Sequence, residues 1–155
     1  MKHLNHYINE KLKINSKTEM LITPKDKYEL RRIIEERLEK NKNADFNDID
    51  VSELYDMNYL FQNLDPHNID ISKWDVSNVT HMEFMFDGCE NFNCDLSKWD
   101  VSSVTKMQYM FRNCKKFNCD LSNWNVYKMK HDFQLFYACF SGCTSLKKPD
   151  WYYYS

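Results

Sequence analysis

Between residues 44 and about 147 the chain repeats itself every 25 residues, and that period decides what it can fold into. Residues 69–93 read IDISKWDVSNVTHMEFMFDGCENFN and residues 94–118 read CDLSKWDVSSVTKMQYMFRNCKKFN. Residues 44–68 (ADFNDIDVSELYDMNYLFQNLDPHN) are a degenerate earlier copy, and CDLSNWNVYKM opens a fourth at 119. Aligned columns hold Trp74, Trp99 and Trp124 after Ile49; Asp45, Asp70, Asp95 and Asp120; Met57, Met82 and Met107; and Phe61, Phe86 and Phe111. A unit of 25 residues cannot bury its own apolar face, so copies must cover one another.

Each copy divides in two. Asp95–Val101 is rich in strand formers. From Val104, the apolar positions Met107, Met110, Phe111 and Cys114 fit one face of a short helix, with Ser102 or Ser103 as its N-cap. The expected fold is α/β: a right-handed solenoid with a parallel strand ladder on one side and short helices on the other. The expected units are an N-terminal cap over 1–43 and a solenoid over 44–155, with copies 44–68, 69–93, 94–118 and 119–147. In the last copy Phe140-Ser-Gly-Cys143 matches Phe111-Arg-Asn-Cys114 displaced by 29 residues, so a four-residue insertion is preferred over strict register through Phe136 and Cys139. The aromatic tail from Trp151 to Tyr154 is a candidate shield for the open end. In the cap, Leu4, Tyr7, Ile8 and Leu12 suggest a first helix and Met20–Ile22 a strand. A second helix starts at Thr23-Pro24 and carries the stripe Leu30, Ile33, Ile34 and Leu38. The cap either docks on the first copy or is a separate recognition module.

Residues 1–43 carry 11 Lys/Arg against 7 Asp/Glu, and residues 44–155 carry 10 against 16. That asymmetry is too mild for nucleic-acid binding, which shows a concentrated basic stripe. The opening MKHLNHYINEKLKINSKTE lacks the uninterrupted apolar run of a secretory signal, and no run is long enough to span a membrane, so a cytoplasmic location is expected.

The text NFNCDLSKWDVSSVTKMQYMFRNCKKFNCDLSNW resembles the BspA-like leucine-rich repeat family of 26-residue-repeat surface proteins. The shared pattern is F-N-x-D-L-S-x-W-D-V-S-x-V-T-x-M-x-x-M-F-x-x-C. The resemblance covers residues 44 to about 147 and implies a leucine-rich-repeat-like solenoid with a role in protein–protein contact or surface adhesion. The block LNHYINEKL followed by KYELRRIIEERLEKNKNADFNDIDVSELYDM is similar to short intracellular versions from bacteria and their phages or mobile elements.

The candidate special residues each have a plain structural reading. Cys89/Cys114 and Cys94/Cys119 recur one period apart, near disulfide reach, and Cys-x4-Cys only grazes zinc spacing. Leu64 and Ile69 fill the same columns in the first copies, so packing thiols are expected, with no metal. The Trp column is either a stacking ladder for sugars or core, and Ile49 favours core. The Asp columns lack the Gly-rich turns of repeat calcium sites, so turn capping is expected. An acidic ladder mimicking nucleic acid is diluted by Lys73, Lys98, Lys106 and Lys128. Trp74, Trp99, Trp124, Met82, Met107, Phe86, Phe111, Cys89 and Cys114 form the expected core ladder. No catalytic motif is present, so neither an enzyme nor a cofactor is expected.

The positions that vary between fixed columns are the partner-binding candidates: Lys73, Lys98 and Asn123 on the strand side, and His81, Phe84, Lys106 and Tyr109 on the helix side. Phe84 and Tyr109 share a column and are either exposed hot-spot aromatics or core. The expected function is a non-catalytic protein–protein interaction module. Alternatives are an inhibitor from a phage or mobile element acting on a host defence or nucleic-acid-binding protein, and a surface adhesin. The partner is another protein, and a homo-oligomer stays open.

Overall fold

The computed structural model describes residues 12–14, 20–129, 134 and 137–152. Two short strands, β1 (Leu12–Ile14) and β2 (Met20–Ile22), pair antiparallel with Lys13 opposite Leu21. Helix α1 (Lys27–Lys40) follows. Its N-cap is Asp26, three residues later than the Thr23-Pro24 start expected from sequence, because the Asp26 carboxylate accepts the Glu29 N–H. The Glu29 carboxylate reaches back to the Lys25 N–H at 2.6 Å. Leu30, Ile33, Ile34 and Leu38 form the buried stripe as their spacing requires. The expected first helix falls outside the described residues except at Leu12, which opens β1.

The α/β solenoid with a parallel strand ladder and short helices is not what the chain forms. Among the described residues α1 is the only α-helix, and the two named strands pair antiparallel outside the repeats. The copies are built of turns, with short 3-10 turns at Tyr127–Met129 and Asp150–Tyr152. Neighbouring copies meet at isolated parallel bridges, Asp45 with Asp70, Asp56 with His81, and His81 with Lys106.

Two local features explain the difference. In the expected strand half, an aspartate closes a turn every five residues. Asp95 takes the Ser97 N–H and Asp100 takes the Ser102 N–H, each at 2.9 Å, which spends side-chain acceptors on bending the chain. Trp99 and Val104 then donate back three residues, to Leu96 and Val101. In the expected helix half, the backbone turns left-handed at Tyr59, Phe84 and Tyr109 (φ 65°, 56° and 58°) and again at Asn63, Gly88 and Asn113. A helix cannot run through such residues. Consecutive three-residue turns replace it, with Met85 bonded to Met82 and Cys89 to Phe86. A three-residue turn returns a side chain to the same side nearly as a helix does, so the apolar spacing reads alike for both.

Many of the remaining amide hydrogens cross to the next copy. Met82, Phe84, Phe86 and Gly88 donate to the carbonyls of Lys106, Gln108, Met110 and Arg112, each 24 residues on. From the third copy to the last, Tyr109, Phe111 and Asn113 donate to Tyr137, Cys139 and Ser141, 28 residues on, which places the four extra residues before Tyr137. Phe140 accordingly stacks on Phe111 at 5.7 Å.

The core is a set of stacked columns. Phe61, Phe86 and Phe111 stack at 5.2 and 5.4 Å, flanked by Phe92 and Phe117. Each indole N–H reaches the carbonyl of the preceding copy: Trp74 to Phe46, Trp99 to Ile71 and Trp124 to Leu96. Trp151 extends this row, stacking on Trp124 at 6.5 Å and donating to Leu121. At the other end Ile22 bridges to Ile49, and Arg31 of α1 donates to the carbonyls of Tyr59, Leu60 and Gln62.

Candidate docking surface

The left-handed residues Tyr59, Phe84 and Tyr109 carry their rings into one row. Tyr59 and Phe84 stack at 5.0 Å and 9°, and Phe84 and Tyr109 at 4.8 Å and 18°; Tyr137 meets Tyr109 edge-on at 5.6 Å. Tyr59 is 45% exposed and Tyr137 48%, while Phe84 and Tyr109 are half-buried between their neighbours. A large side chain at positive φ costs roughly 1–2 kcal/mol, and three successive copies carry that cost at the same position. Face-to-face stacking covers the facing sides of the Tyr59, Phe84 and Tyr109 rings.

Arg112 fastens the ridge to the stack. Its guanidinium lies over the rings of Phe84 (5.6 Å) and Tyr109 (4.9 Å) and donates to both carboxylate oxygens of Asp87 at 2.7 Å. Gln62 of the copy before donates to Asp87 Oδ2 at 3.0 Å. Burial works against the charged form of Asp87, which is only 3% exposed, but the bonds from Arg112 and Gln62 outweigh it and hold the carboxyl below its ordinary range. Beside the ridge, Asn58 and Glu83 exchange two hydrogen bonds, and the buried Gln108 Oε1 has no partner among the described residues.

The residues singled out from sequence divide between two places. Phe84 and Tyr109 are in the ridge. His81 bridges Asp56 and Lys106 in the adjoining row, half-buried, with Lys106 exposed. Lys73 and Lys98 line a shallow cleft of about 430 Å³ with Asn68, Asp70, Asn93 and Asp95, and no ridge residue lines that cleft. Asn123 is exposed. Trp74, Trp99, Trp124, Met82, Met107, Phe86, Phe111, Cys89 and Cys114 are all buried.

Asp70 and Asp95 of the cleft cap turns, and Asp120 does the same one copy on. Hydrogen bonds from Ser97 and Ser122 hold the Asp95 and Asp120 carboxyls below their ordinary range. The thiols of Cys89, Cys114 and Cys143 donate to the carbonyls of Phe61, Phe86 and Phe111. Burial pushes Cys89 up to about 12 and Cys94 up to about 11. Where Ile69 holds the Cys94/Cys119 column, Phe46 donates to the Asp70 carbonyl; where Cys119 holds it, the Leu96 N–H goes to the Cys119 sulfur at 3.2 Å. Among the described residues no group of three or more His, Cys, Asp or Glu is arranged to hold a metal ion.

Sequence reasoning missed the Gln62–Asp87–Arg112 row and Tyr59. Both had signals. Asp87 and Arg112 are opposite charges one period apart. The column Asn63, Gly88, Asn113, Gly142 consists of the residue types that tolerate left-handed backbone, and all four adopt it. Tyr59, Phe84 and Tyr109 lie four residues before its first three members.

These features define a class: a repeat protein of stacked turns, closed at its first copy by a strand and a helix and carrying one aromatic ridge. Within that class, the chain belongs to the family described as Mycoplasma protein of unknown function, DUF285, whose model matches residues 29–149, from inside α1 to Pro149. No curated protein and no solved structure matches it. No helix among the described residues is long and apolar enough to cross a membrane.

Proposed function

We propose that this chain is a non-catalytic interaction module that docks a partner protein through the ridge of Tyr59, Phe84, Tyr109 and Tyr137. The supporting observation is the backbone strain: large aromatic side chains sit at positive φ in three successive copies, and such strain concentrates where a site must be held in one shape. The side chains are immobilised before any partner arrives, so docking loses little rotamer freedom. Aromatic residues with a neighbouring arginine are also the composition of interface hot spots.

The working compartment in this reading is a reducing one, the cytoplasm. Six free thiols, three of them donating to backbone carbonyls, suit a place where disulfides do not form.

The test is affinity capture from the producing cell with the unaltered chain and with Phe84→Asn/Tyr109→Asn. Asparagine tolerates left-handed backbone, so the variant removes rings without adding strain. The expected result is a specific partner whose recovery falls at least about ten-fold with the variant, as for loss of a hot-spot pair. Equal recovery by both chains overturns the reading.

A further inference from the structure

The ridge runs across a reversal of charge. In the turn halves of the first two copies, residues 55–68 have net charge −2 from Asp56 and Asp65, and residues 80–93 have −3 from Glu83, Asp87 and Glu90. In the third, residues 105–118 have +4 from Lys106, Arg112, Lys115 and Lys116, with no acidic residue. The switch falls between Phe84 and Tyr109, the two most enclosed rings of the row, where Arg112 spans both.

We infer that the partner of the ridge is a second copy of this chain, docked antiparallel about a two-fold axis at the junction of copies 69–93 and 94–118. This rests on the reading of the ridge as a docking surface. A two-fold interface places the same patch on both chains, so a patch must complement itself after half a turn. This patch does: rotation sets the acidic half of each chain against the basic half of the other, twice over, and lays Phe84 of each chain against Tyr109 of the other at the centre. A parallel arrangement would set like charges together and is disfavoured. End-to-end assembly meets ends that are already engaged, by β2 and Arg31 at one and by Trp151 over Trp124 at the other. Asp87 and Arg112 neutralise each other within the chain, as do Glu90 and Lys115, so their contribution is shape and aromatic contact. Glu83 and Lys106 enter no in-chain ion pair among the described residues, and their charges remain for the partner.

Sedimentation equilibrium of the purified chain tests this at low and high salt. The expected result is a concentration-dependent dimer that weakens as salt rises. Lys106→Glu alone and Glu83→Lys alone each place two like-charge contacts across the axis and weaken the dimer at least about ten-fold. Mixed one to one, they restore both opposite-charge contacts, and a heterodimer of near-native affinity forms. Lys106 is exposed and Glu83 half-buried, where Glu83→Lys gives up the hydrogen bond from Asn58, and thermal unfolding of each variant by circular dichroism verifies its fold. A monomer at all concentrations, or a dimer indifferent to both substitutions and their mixture, overturns the inference. If the chain stays monomeric while Phe84→Asn/Tyr109→Asn still loses a captured protein, the inference falls and the docking surface stands. If that variant changes neither self-association nor capture, both fall.

Discussion

Gly88 lies beneath the side chain of Asn63, one copy earlier: a Cβ on Gly88 would stand 2.5 Å from Asn63 Oδ1, at a φ of +76°. Gly142 stands in the same relation to Asn113. The column alternates an asparagine that fills space with a glycine that leaves it.

Gly88→Ala therefore adds a steric conflict to an unfavourable backbone angle. The expected loss of stability is about 2 kcal/mol or more, read from the urea midpoint. Asn63→Gly in the same chain removes the obstructing amide, tolerates the left-handed φ of 59° at that position, and should recover part of that loss. An unchanged midpoint for Gly88→Ala would refute the close approach.

The tryptophan row makes a second prediction. Trp99→Phe keeps an aromatic ring in the column but removes the indole hydrogen bond to the Ile71 carbonyl, which keeps only the Trp74 N–H. The loss of one such bond costs roughly 0.5–1.5 kcal/mol, added to the lost ring volume. Trp151→Phe removes the equivalent bond at a half-buried terminal position and should cost less. Comparing the two denaturation curves measures how much the middle of the stack matters relative to its end.

Acid should loosen the turns. Hydrogen bonds from serine two residues on hold Asp75, Asp95, Asp100 and Asp120 below the ordinary value of 3.8, and Asn47 followed by Ser72 does so for Asp70. A carboxylate whose folded pKa is depressed contributes stability that is fully present above its unfolded value and is lost as pH falls through the folded one. Stability should thus be level near neutrality and decline below about pH 4. Asp95→Asn retains a turn-capping side chain but does not titrate, and should flatten the decline in proportion. An acid profile that is the same for Asp95→Asn and the unaltered chain would remove these caps from the account.

The thiols should be slow to alkylate in the native state. Burial pushes Cys89 up to about 12 and Cys94 and Cys143 up to about 11, and raises Cys114 and Cys139 further. Only the thiolate reacts. Cys119, half-buried beside Asp95 and Asp120, should be modified first, and the fully buried Cys89, Cys114 and Cys139 only on unfolding. Mass spectrometry of a timed iodoacetamide reaction gives the order.

The part of this fold written in single positions was legible. The 25-residue columns told that Trp74, Phe86 and Cys89 share an interior, and the stripe Leu30, Ile33, Ile34, Leu38 told of a helix. The secondary structure of the copies was not legible from periodicity, because three-residue turns and helices present apolar residues at nearly the same spacing. The information that separates them lay in Asp-x-Ser, which bends the chain at Asp95 and Asp100, and in the Asn/Gly column, which admits left-handed backbone. The ridge was half legible. Phe84 and Tyr109 stood out as variable aromatics, but their stacking depends on a φ that neither residue type favours and no propensity suggests.

Because the column alternates asparagine with glycine, the unit that gene duplication could add or remove without a clash is a pair of copies and not a single one. Doubling residues 94–118 alone would set one asparagine on another where a glycine now leaves room. The length of such a stack is thus countable in pairs.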